Sequence, residues 1–498
     1  MRLSLLVGVF AGMVLLIAFG CLAEPSGTLA ISWPEAIRAL DPHAHDNVRI
    51  FWGIVGANIF DHLVEKNAQG EIVPGLATSW EAVESDVWEF SLRQGVKFHN
   101  GEPFNADVVK YTFERMVRMN APCLFLFGSI DYVEVVDEYT ARIHTIGPNG
   151  ALLHGLTMAE MVPPVAGEDP NFNLNPVGTG PFKFEEWIRG ERFSMIANED
   201  YWGKVPELER VIHYPLLEAF TRAAALKTGQ VQIIHHVPLE EIDALKADSR
   251  FEIVPMPGND VTAFAMGHDK IYGDLRIREA MAWAIDTEEM VDVIFGDGAV
   301  AGTALMAPPV FGYTDTSDWL PGYDPQRAKE LLAAAGYPNG FDTYLIVPAG
   351  YWVKGEEVSQ YLRQQLLQVG IDMEIRLTEP ATTWAILDSE DFDMIMSGWG
   401  TITLDCDMGL YRNFHSSMTR EHFDNFFVDE MLDFGRASSD QEARREAYEK
   451  ALVEISTKLL RIPLYVANHV YGISTRVHGF EPRSDELFDN LEYVTVDE

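Results

Sequence analysis

Residues 175–203, NPVGTGPFKFEEWIRGERFSMIANEDYWG, decide the fold more than any other stretch of the chain. Pro176, Gly178 and Gly180 are typical turn formers and predict a tight loop. The aromatic residues that begin at Phe182 follow in a pattern suited to a strand. The stretch contains no activated nucleophile, metal cluster or phosphate-binding loop. We therefore expect it to have a structural role. Its pattern of turn formers followed by aromatic residues is distinctive, and this makes it useful for recognising the fold.

Six further segments predict alternating helices and strands on both sides of this stretch. They are residues 70–80, 88–116, 220–233, 274–291, 323–341 and 461–465. Asn105 is expected to cap one helix, and Gly229 and Gly336 to end two others. Residues 274–291 predict a single helix with one core-facing side, formed by Ile277, Met281, Ala284 and Ile285.

Taken together and in this order, the segments resemble the motifs of the peptide/nickel/opine-binding family of extracytoplasmic solute-binding proteins, and the likeness covers nearly the whole mature chain. The resemblance implies an α/β fold, a two-lobe periplasmic-binding-protein clamshell with an extra inserted subdomain (class C type). Lobe I would span residues 24–261 with the insert at about 57–174. Lobe II would span 267–470, and 471–498 would return to lobe I. The chain would cross between lobes at 261–267 and 464–472.

Composition agrees with an exported binding protein of this size. The 498 residues are more than one core usually holds, so two large lobes are expected. The 76 acidic and 37 basic residues give a formal net charge of −39. Such a charge repels nucleic acid and anionic lipid surfaces, so we expect neither as a partner.

The N-terminus predicts export. Arg2 precedes an apolar run over residues 5–19, which has the length of a signal-peptide core and is short for a membrane span. Residues 1–23 are therefore expected to be a signal peptide. Two processing routes stay open: lipid attachment at Cys21, or ordinary cleavage after Ala23. Either route places the protein in the periplasm or on the outer face of the cytoplasmic membrane.

The remaining cysteines, Cys123 and Cys406, have no CxxC spacing and are expected to be free and buried.

No GxSxG elbow, HExxH helix, P-loop or GxGxxG unit occurs in the chain, so no catalytic residue and no cofactor are predicted. The resemblance instead implies a monomer that hands a solute to an ABC permease in the membrane. A role as a ligand-presenting accessory to a membrane sensor stays open.

The resemblance assigns the main ligand loop to Gly398, Trp399 and Gly400, because they match the "GW-small" element of the family. An indole offers an apolar wall and one N–H donor. Peptide-binding relatives have an aspartate three residues after this tryptophan, which pairs with the α-amine of the peptide, but this chain has Ile402. Either Asp405 or Asp407 replaces that carboxylate, or the solute has no α-amine and is an oligosaccharide, an opine or a nickel chelate.

Four further ligand contacts are predicted from position alone. Trp33 and His45 lie at and after the first strand, Asn259 precedes the first crossing, and Asn468 lies in the second. His43 and His45 are alternate residues, and in an extended segment such side chains point to the same side, which suggests a metal site. Because no cysteine or carboxylate partner is clustered with them, no metal site is expected.

Overall fold

The computed structural model describes residues 25–44, 50–67, 70–389, 391–419 and 421–497, and these form a mixed α/β protein. Its strands are β1 (Thr28–Trp33), β2 (Val64–Lys66), β3 (Ile72–Pro74), β4 (Ala77–Glu84), β5 (Val87–Leu92), β6 (Ile130–Asp137), β7 (Thr140–Thr145), β8 (Phe182–Ile188), β9 (Arg192–Ala197), β10 (Arg210–Pro215), β11 (Ile233–Ile234), β12 (Phe251–Met266), β13 (Ala299–Ala301), β14 (Phe341–Pro348), β15 (Ile371–Thr378), β16 (Met394–Gly400), β17 (Ile462–Ser474), β18 (Val477–His478) and β19 (Thr495–Val496).

The α-helices are α1 (Ala57–Ile59), α2 (Ala106–Met119), α3 (Leu124–Phe127), α4 (Leu152–Leu156), α5 (Ala219–Thr228), α6 (Ile242–Lys246), α7 (Leu275–Trp283), α8 (Thr287–Ile294), α9 (Pro325–Ala334), α10 (Gly355–Gln368), α11 (Pro380–Ser389), α12 (Arg412–Phe414), α13 (Phe426–Ala437) and α14 (Gln441–Thr457). Among the described residues, no helix is long and apolar enough to cross a membrane.

A single 11-stranded sheet runs through the molecule in the order β15-β14-β16-β12-β17-β11-β1-β10-β9-β8, with β13 added to β17. The strands at one end, β1 and β8–β11, come from the first half of the sequence. Those at the other end, β14–β16, come from the second half. Among the described strands, β12 and β17 alone lie between the two groups, so the sheet passes from one half of the chain to the other through them.

β12 and β17 are antiparallel and pair along most of their length, from Phe251 with Ser474 to Phe264 with Ile462. The register shifts between Pro257 and Val261, where a strand irregularity interrupts the ladder. Irregularities of this kind bend a strand and increase its local twist. The predicted crossings at 261–267 and 464–472 fall on or beside these strands, while the exact lobe boundaries stay predictions.

A separate four-stranded antiparallel sheet, in the order β4-β5-β7-β6, packs against α2 within the predicted insert. The C-terminal segment contacts the first half of the chain. The N–H of Phe488 donates to the carbonyl of Gly53, at 2.9 Å. The Asn58 side chain donates to the carbonyl of Phe488, at 2.8 Å. The last residues of the chain therefore contribute to the core of the first half.

Local predictions are largely confirmed. The Asn105 side chain accepts a hydrogen bond from the Val108 N–H at the start of α2, and Gly229 ends α5 in the left-handed conformation. β8 begins at Phe182, as predicted. Cys123 and Cys406 are free and buried.

The single helix predicted over residues 274–291 is wrong. The structure has two helices, α7 and α8, separated at residues 284–286. The side chain of Asp286 accepts a hydrogen bond from the N–H of Glu289 and so begins a new helix. The predicted apolar face is nevertheless buried, because Ile277 and Met281 are both fully inaccessible.

Two glycines with the same backbone conformation allow a direct test of close packing. Gly340 (φ +79°) and Gly336 (φ +97°) are both left-handed, but a Cβ on Gly340 would lie 1.8 Å from the Gly370 carbonyl oxygen, whereas one on Gly336 would contact nothing within 4 Å. Gly336→Ala is expected to cost about 1–2 kcal/mol of conformational strain. Gly340→Ala is expected to cost roughly 1–3 kcal/mol more, because it also overpacks the turn. Urea unfolding of both variants measures the difference, and equal losses would contradict it.

Candidate functional site

A cavity of about 500 Å³ lies between the first half of the chain and the C-terminal segment, and Asn259 and Ile402 also reach it. Aromatic side chains form part of its wall: Trp52, Phe60, Tyr201, Trp202 and Tyr493. Its polar lining is rich in carboxyl groups: Asp61, Glu65, Glu481, Asp485, Glu486, Asp489 and Glu492. The lysine and arginine side chains that line it are Lys66, Lys204 and Arg483. We call this space the acidic cavity.

Three of these carboxyl groups hold their protons more tightly than usual. Burial, together with the negative charges of Asp489 and Asp61, raises the pKa of Glu492 to about 8. Burial also raises the pKa of Asp61 and of Asp489 to about 6 each. A cation brought into the cavity would relieve this repulsion and favour the ionised forms.

The carboxyl groups differ in how well they are hydrogen-bonded. Asp61 accepts hydrogen bonds from the Tyr201 hydroxyl, at 2.9 Å, and from the Trp202 indole N–H, at 2.8 Å. Arg483 lies 3.0 Å from Asp489. Oε2 of Glu492 is buried and makes no hydrogen bond within the described part of the chain. Glu492 therefore has a buried acceptor atom that no hydrogen bond to the described residues uses.

A second cavity, of about 470 Å³, lies in the second half of the chain beside the end of β16. We call it the aromatic cavity, because Tyr351, Trp352, Trp384 and Trp399 line it. Arg412 lies over the Trp399 ring, 4.7 Å from its centroid. The indole nitrogen of Trp399 is buried without a hydrogen bond to any described residue. Residues 398–402 therefore border both cavities, with Trp399 in the aromatic one and Ile402 in the acidic one.

Gly398 and Gly400, predicted as ligand contacts, line the aromatic cavity and permit close packing there. A Cβ on Gly398 would lie 2.7 Å from the Trp352 ring, and one on Gly400 would lie 1.4 Å from the Asp260 carboxylate. The absence of side chains at these positions brings Trp352 and Asp260 up to the main chain of β16.

Asp405 and Asp407, the predicted substitutes for the missing ammonium clamp, both pair with arginines. Asp405 is 1% exposed, and its two oxygens lie 3.0 and 2.8 Å from Nη2 of the fully buried Arg444. Asp407 accepts a hydrogen bond from Nε of Arg436, at 2.9 Å. Neither carboxylate lines the acidic or the aromatic cavity. Their role as a clamp stays a prediction, and the structure gives both a local structural role.

The Asp405 pair also joins the two halves of the molecule. Nδ1 of His154, on α4 of the first half, lies 3.0 Å from Oδ2 of Asp405. Nearby, the N–H of Gly150 donates to the carbonyl of Arg436, at 2.8 Å. A Cβ on Gly150 would lie 1.7 Å from the Ser438 carbonyl oxygen. The two halves are therefore in direct contact on this side of the molecule.

The remaining predicted contacts are dispersed. Trp33 is the last residue of β1, is 1% exposed, and stacks on His235 with ring centroids 4.4 Å apart. Asn259 lines the acidic cavity, and its side chain donates to the Thr401 carbonyl. The Asn468 side chain donates to the carbonyl of Asp297. His45 lies outside the described residues.

Sequence reasoning missed the carboxyl groups of the acidic cavity. A usable signal was present, because residues 485–492 contain four acidic residues in a short C-terminal run. Nothing in the sequence showed that this run lies opposite Asp61 and Glu65, since that proximity depends on the C-terminal segment packing back on the first half.

The two aspartate pairs predict different effects on stability. Burial opposes ionisation of Asp405, but the charges of Arg444 and His154 outweigh it and hold the pKa well below its usual range. Asp405→Asn leaves a buried guanidinium unpaired and is expected to destabilise the protein by about 3–5 kcal/mol. Asp407→Asn is the matched control and is expected to cost about 1 kcal/mol or less, because the Arg436 side chain is 38% exposed. Chemical denaturation measures both losses.

The pH dependence follows from the same pair. Because the folded pKa of Asp405 lies below the ordinary value of 3.8, its stabilisation is complete above that range and is lost as the pH falls and the carboxyl is protonated. The Asn variant should therefore lose less stability on acidification than the parent protein. An equal acid dependence in both proteins would contradict the assignment.

Comparison with known proteins agrees with this architecture. A model of "Bacterial extracellular solute-binding proteins, family 5 Middle" matches residues 71–420. Glutathione-binding protein GsiB of Salmonella typhi is 30% identical over 420 residues, covering 79% of this chain and 80% of that protein. Heme-binding protein A of Haemophilus influenzae is 27% identical over 491 residues, covering 88% and 87%.

Among solved structures, HbpA2 from Haemophilus parasuis superposes with a TM-score of 0.87 at 24% sequence identity, covering 95% of this chain and 100% of that one. The predicted two-lobed α/β fold is thereby confirmed, as is the resemblance drawn from residues 175–203 and the segments around them. The chain belongs to the bacterial extracellular solute-binding proteins of family 5.

Proposed function

We propose that this protein captures a small, amine-bearing, peptide-like solute between its two lobes and delivers it to an ABC permease. The observation that carries this proposal is the buried Oε2 of Glu492, which makes no hydrogen bond to a described residue, in a cavity lined by seven carboxyl groups. An ammonium group satisfies such an acceptor with a charge-assisted hydrogen bond, which is stronger than one between neutral groups. A neutral sugar offers no charge to balance the carboxylates.

In this proposal the amine of the solute lies beside Ile402, close to the position of the aspartate clamp in relatives. The side chains that bind the amine come from lobe I. Glu492 and Asp61 supply the negative charge that position 402 lacks, and Asn259 adds a polar side chain on the same cavity. A cavity of about 500 Å³ falls within the range of small-molecule sites. These features support a solute of di- or tripeptide size.

The apolar part of the solute lies against Trp399 in the aromatic cavity. Residues 398–402 border both cavities, so one solute can present its amine on one side and a bulky side chain on the other. The name of the GsiB relative supports this class, since glutathione is a tripeptide with a free amine.

Capture follows from closure of the lobes around the solute, with bending at β12 and β17. The contacts of His154 and Gly150 with the opposite half stabilise the closed form. The protein acts outside the cytoplasm as a monomer, and the closed form docks on the permease. Export through the N-terminal segment and lipid attachment at Cys21 belong to this proposal; both lie outside the described residues.

The charge of the acidic cavity predicts how affinity depends on pH. As the pH rises from about 6 to about 7.5, the raised pKa values of Asp61, Asp489 and Glu492 mean that these carboxyls become increasingly ionised. Affinity for a free-amine tripeptide should therefore rise over this range, before the α-amine, whose pKa is about 8, loses its proton. Calorimetric titration with the tripeptide and its N-acetylated form measures both dependences. The acetylated form should bind weakly and without this rise.

Glu492→Gln tests the named acceptor. It is expected to weaken binding of the free-amine peptide by roughly 10- to 100-fold, the value of a charge-assisted hydrogen bond, and to flatten the pH dependence. Asp407→Asn serves as a control, because it removes a carboxylate outside the cavity. Unchanged affinity in the Gln variant, or equal binding of free and acetylated peptides by the parent protein, would overturn the amine assignment.

Trp399→Ala tests the apolar part of the site. It should weaken binding of a peptide with an aromatic side chain by several-fold or more, because a large apolar contact is lost. Binding of triglycine, which has no side chain, should change little. Thermal unfolding without ligand checks that the variant is folded. Equal losses for both peptides, or none, would remove Trp399 from direct contact with the solute.

A further inference from the structure

Three histidines and one glutamate meet beside β17, although they come from distant parts of the sequence. His235 and His236 follow β11, His469 lies on β17, and Glu486 lies in the C-terminal segment. Each offers one ligating atom, and the four atoms lie within 4.8 Å of one another. We call these residues the histidine cluster, and we propose that it binds a divalent transition-metal ion.

The cluster contains buried polar atoms that protein groups do not satisfy. His235 is fully buried, and neither of its ring nitrogens makes a hydrogen bond within the described residues. Nε2 of His469, a residue 7% exposed, has no such partner there either. Buried polar groups are almost always paired, so buried imidazole nitrogens without a partner among the described residues call for an explanation. A metal ion supplies the missing partner, because neutral imidazole nitrogen is a common metal ligand.

The carboxylate of Glu486 lies at the centre of the cluster. Its Oε1 is 2.7 Å from Nδ1 of His469, 3.5 Å from Nε2 of His236 and 4.0 Å from Nε2 of His235. Four donors at about 2.1 Å from a tetrahedral ion lie roughly 3.4 Å apart, so the 2.7 Å pair would have to open and the wider pairs, of up to 4.8 Å, to close around an ion. The carboxylate also supplies negative charge against the charge of the ion.

The surrounding structure holds the ligands in place. The Arg222 side chain donates to the carbonyls of His235, at 3.0 Å, and His236, at 2.9 Å. Trp33 stacks on one face of the His235 ring. His236 (φ +54°) and Glu486 (φ +65°) both have left-handed backbones, which are costly for residues other than glycine. Strain at two of four ligands is what a site that fixes its donors for a ligand shows.

The donor set indicates the class of metal. Imidazole nitrogen with one carboxylate suits zinc, nickel or cobalt, whereas magnesium and calcium prefer oxygen ligands. The His236 side chain is 38% exposed, which gives an ion a route from solvent. The alternative is an aromatic core packed around Trp33 and Tyr471, which would bind no metal.

The proposal does not depend on the identity of the solute, although Glu486 also lines the acidic cavity. The test is calorimetric titration of the purified, chelator-stripped protein, without a histidine tag, with Zn²⁺ near neutral pH. Co²⁺ absorption spectroscopy is run in parallel. We expect one bound ion per chain. We also expect Co²⁺ absorption bands typical of a site with mainly nitrogen ligands and a low coordination number.

His236→Gln and His469→Gln are each expected to weaken Zn²⁺ binding by roughly 10-fold or more, as loss of a ligand does. His144→Gln is the matched control, because His144 forms a similar histidine–carboxylate pair, 3.2 Å from Glu134, in the insert. Melting curves without metal check folding, and the partly exposed His236 keeps the test informative if the His469 variant is unstable. The proposal is overturned if the parent protein binds neither ion, or if the cluster variants bind as well as the control.

Discussion

The antiparallel pairing of β12 with β17 is the interaction on which the rest of the structure depends. In the described part of the chain, these two strands are the middle of the one sheet that reaches both halves, so each half completes its sheet through them. The acidic cavity, the aromatic cavity and the histidine cluster all include residues on or next to these strands. Any change in their bend therefore changes the relative position of the groups that line these cavities.

Buried charge is the second constraint. Asp405 and Arg444 form an ion pair with almost no exposure to water, and His154 reaches it from the other half. Burying such an ion pair costs free energy, because both charged groups lose their contact with water. The attraction between the charges offsets this cost only when the geometry of the pair is good. The Asp405–Arg444 pair lies at a contact between the two halves of the chain. The carboxyls of the acidic cavity show the opposite case, since burial and their mutual repulsion raise the pKa values of Asp61, Asp489 and Glu492.

Sequence reasoning succeeded where local chemistry decides the outcome. Asn105 caps a helix because its side chain reaches a free N–H three residues later, and Gly229 ends one because it accepts a left-handed backbone. It failed at residues 284–286, where the hydrophobic spacing continues but the Asp286 cap begins a second helix. The sequence also suggested Asp405 as a ligand group, which stays a prediction, but it did not show that the folded chain places Arg444 beside this carboxylate.

The sequence by itself determined the family, the helix cap at Asn105 and the strand that begins at Phe182, because these depend on motifs and spacing along the chain. Only the tertiary structure decided which carboxylates share a cavity and which are neutralised by arginine. It also decided that His235, His236, His469 and Glu486 meet. The reason is physical: charge interactions and metal coordination act over a few ångströms in space, and residues far apart in sequence reach that distance only when β17 and the C-terminal segment pack on the first half of the chain.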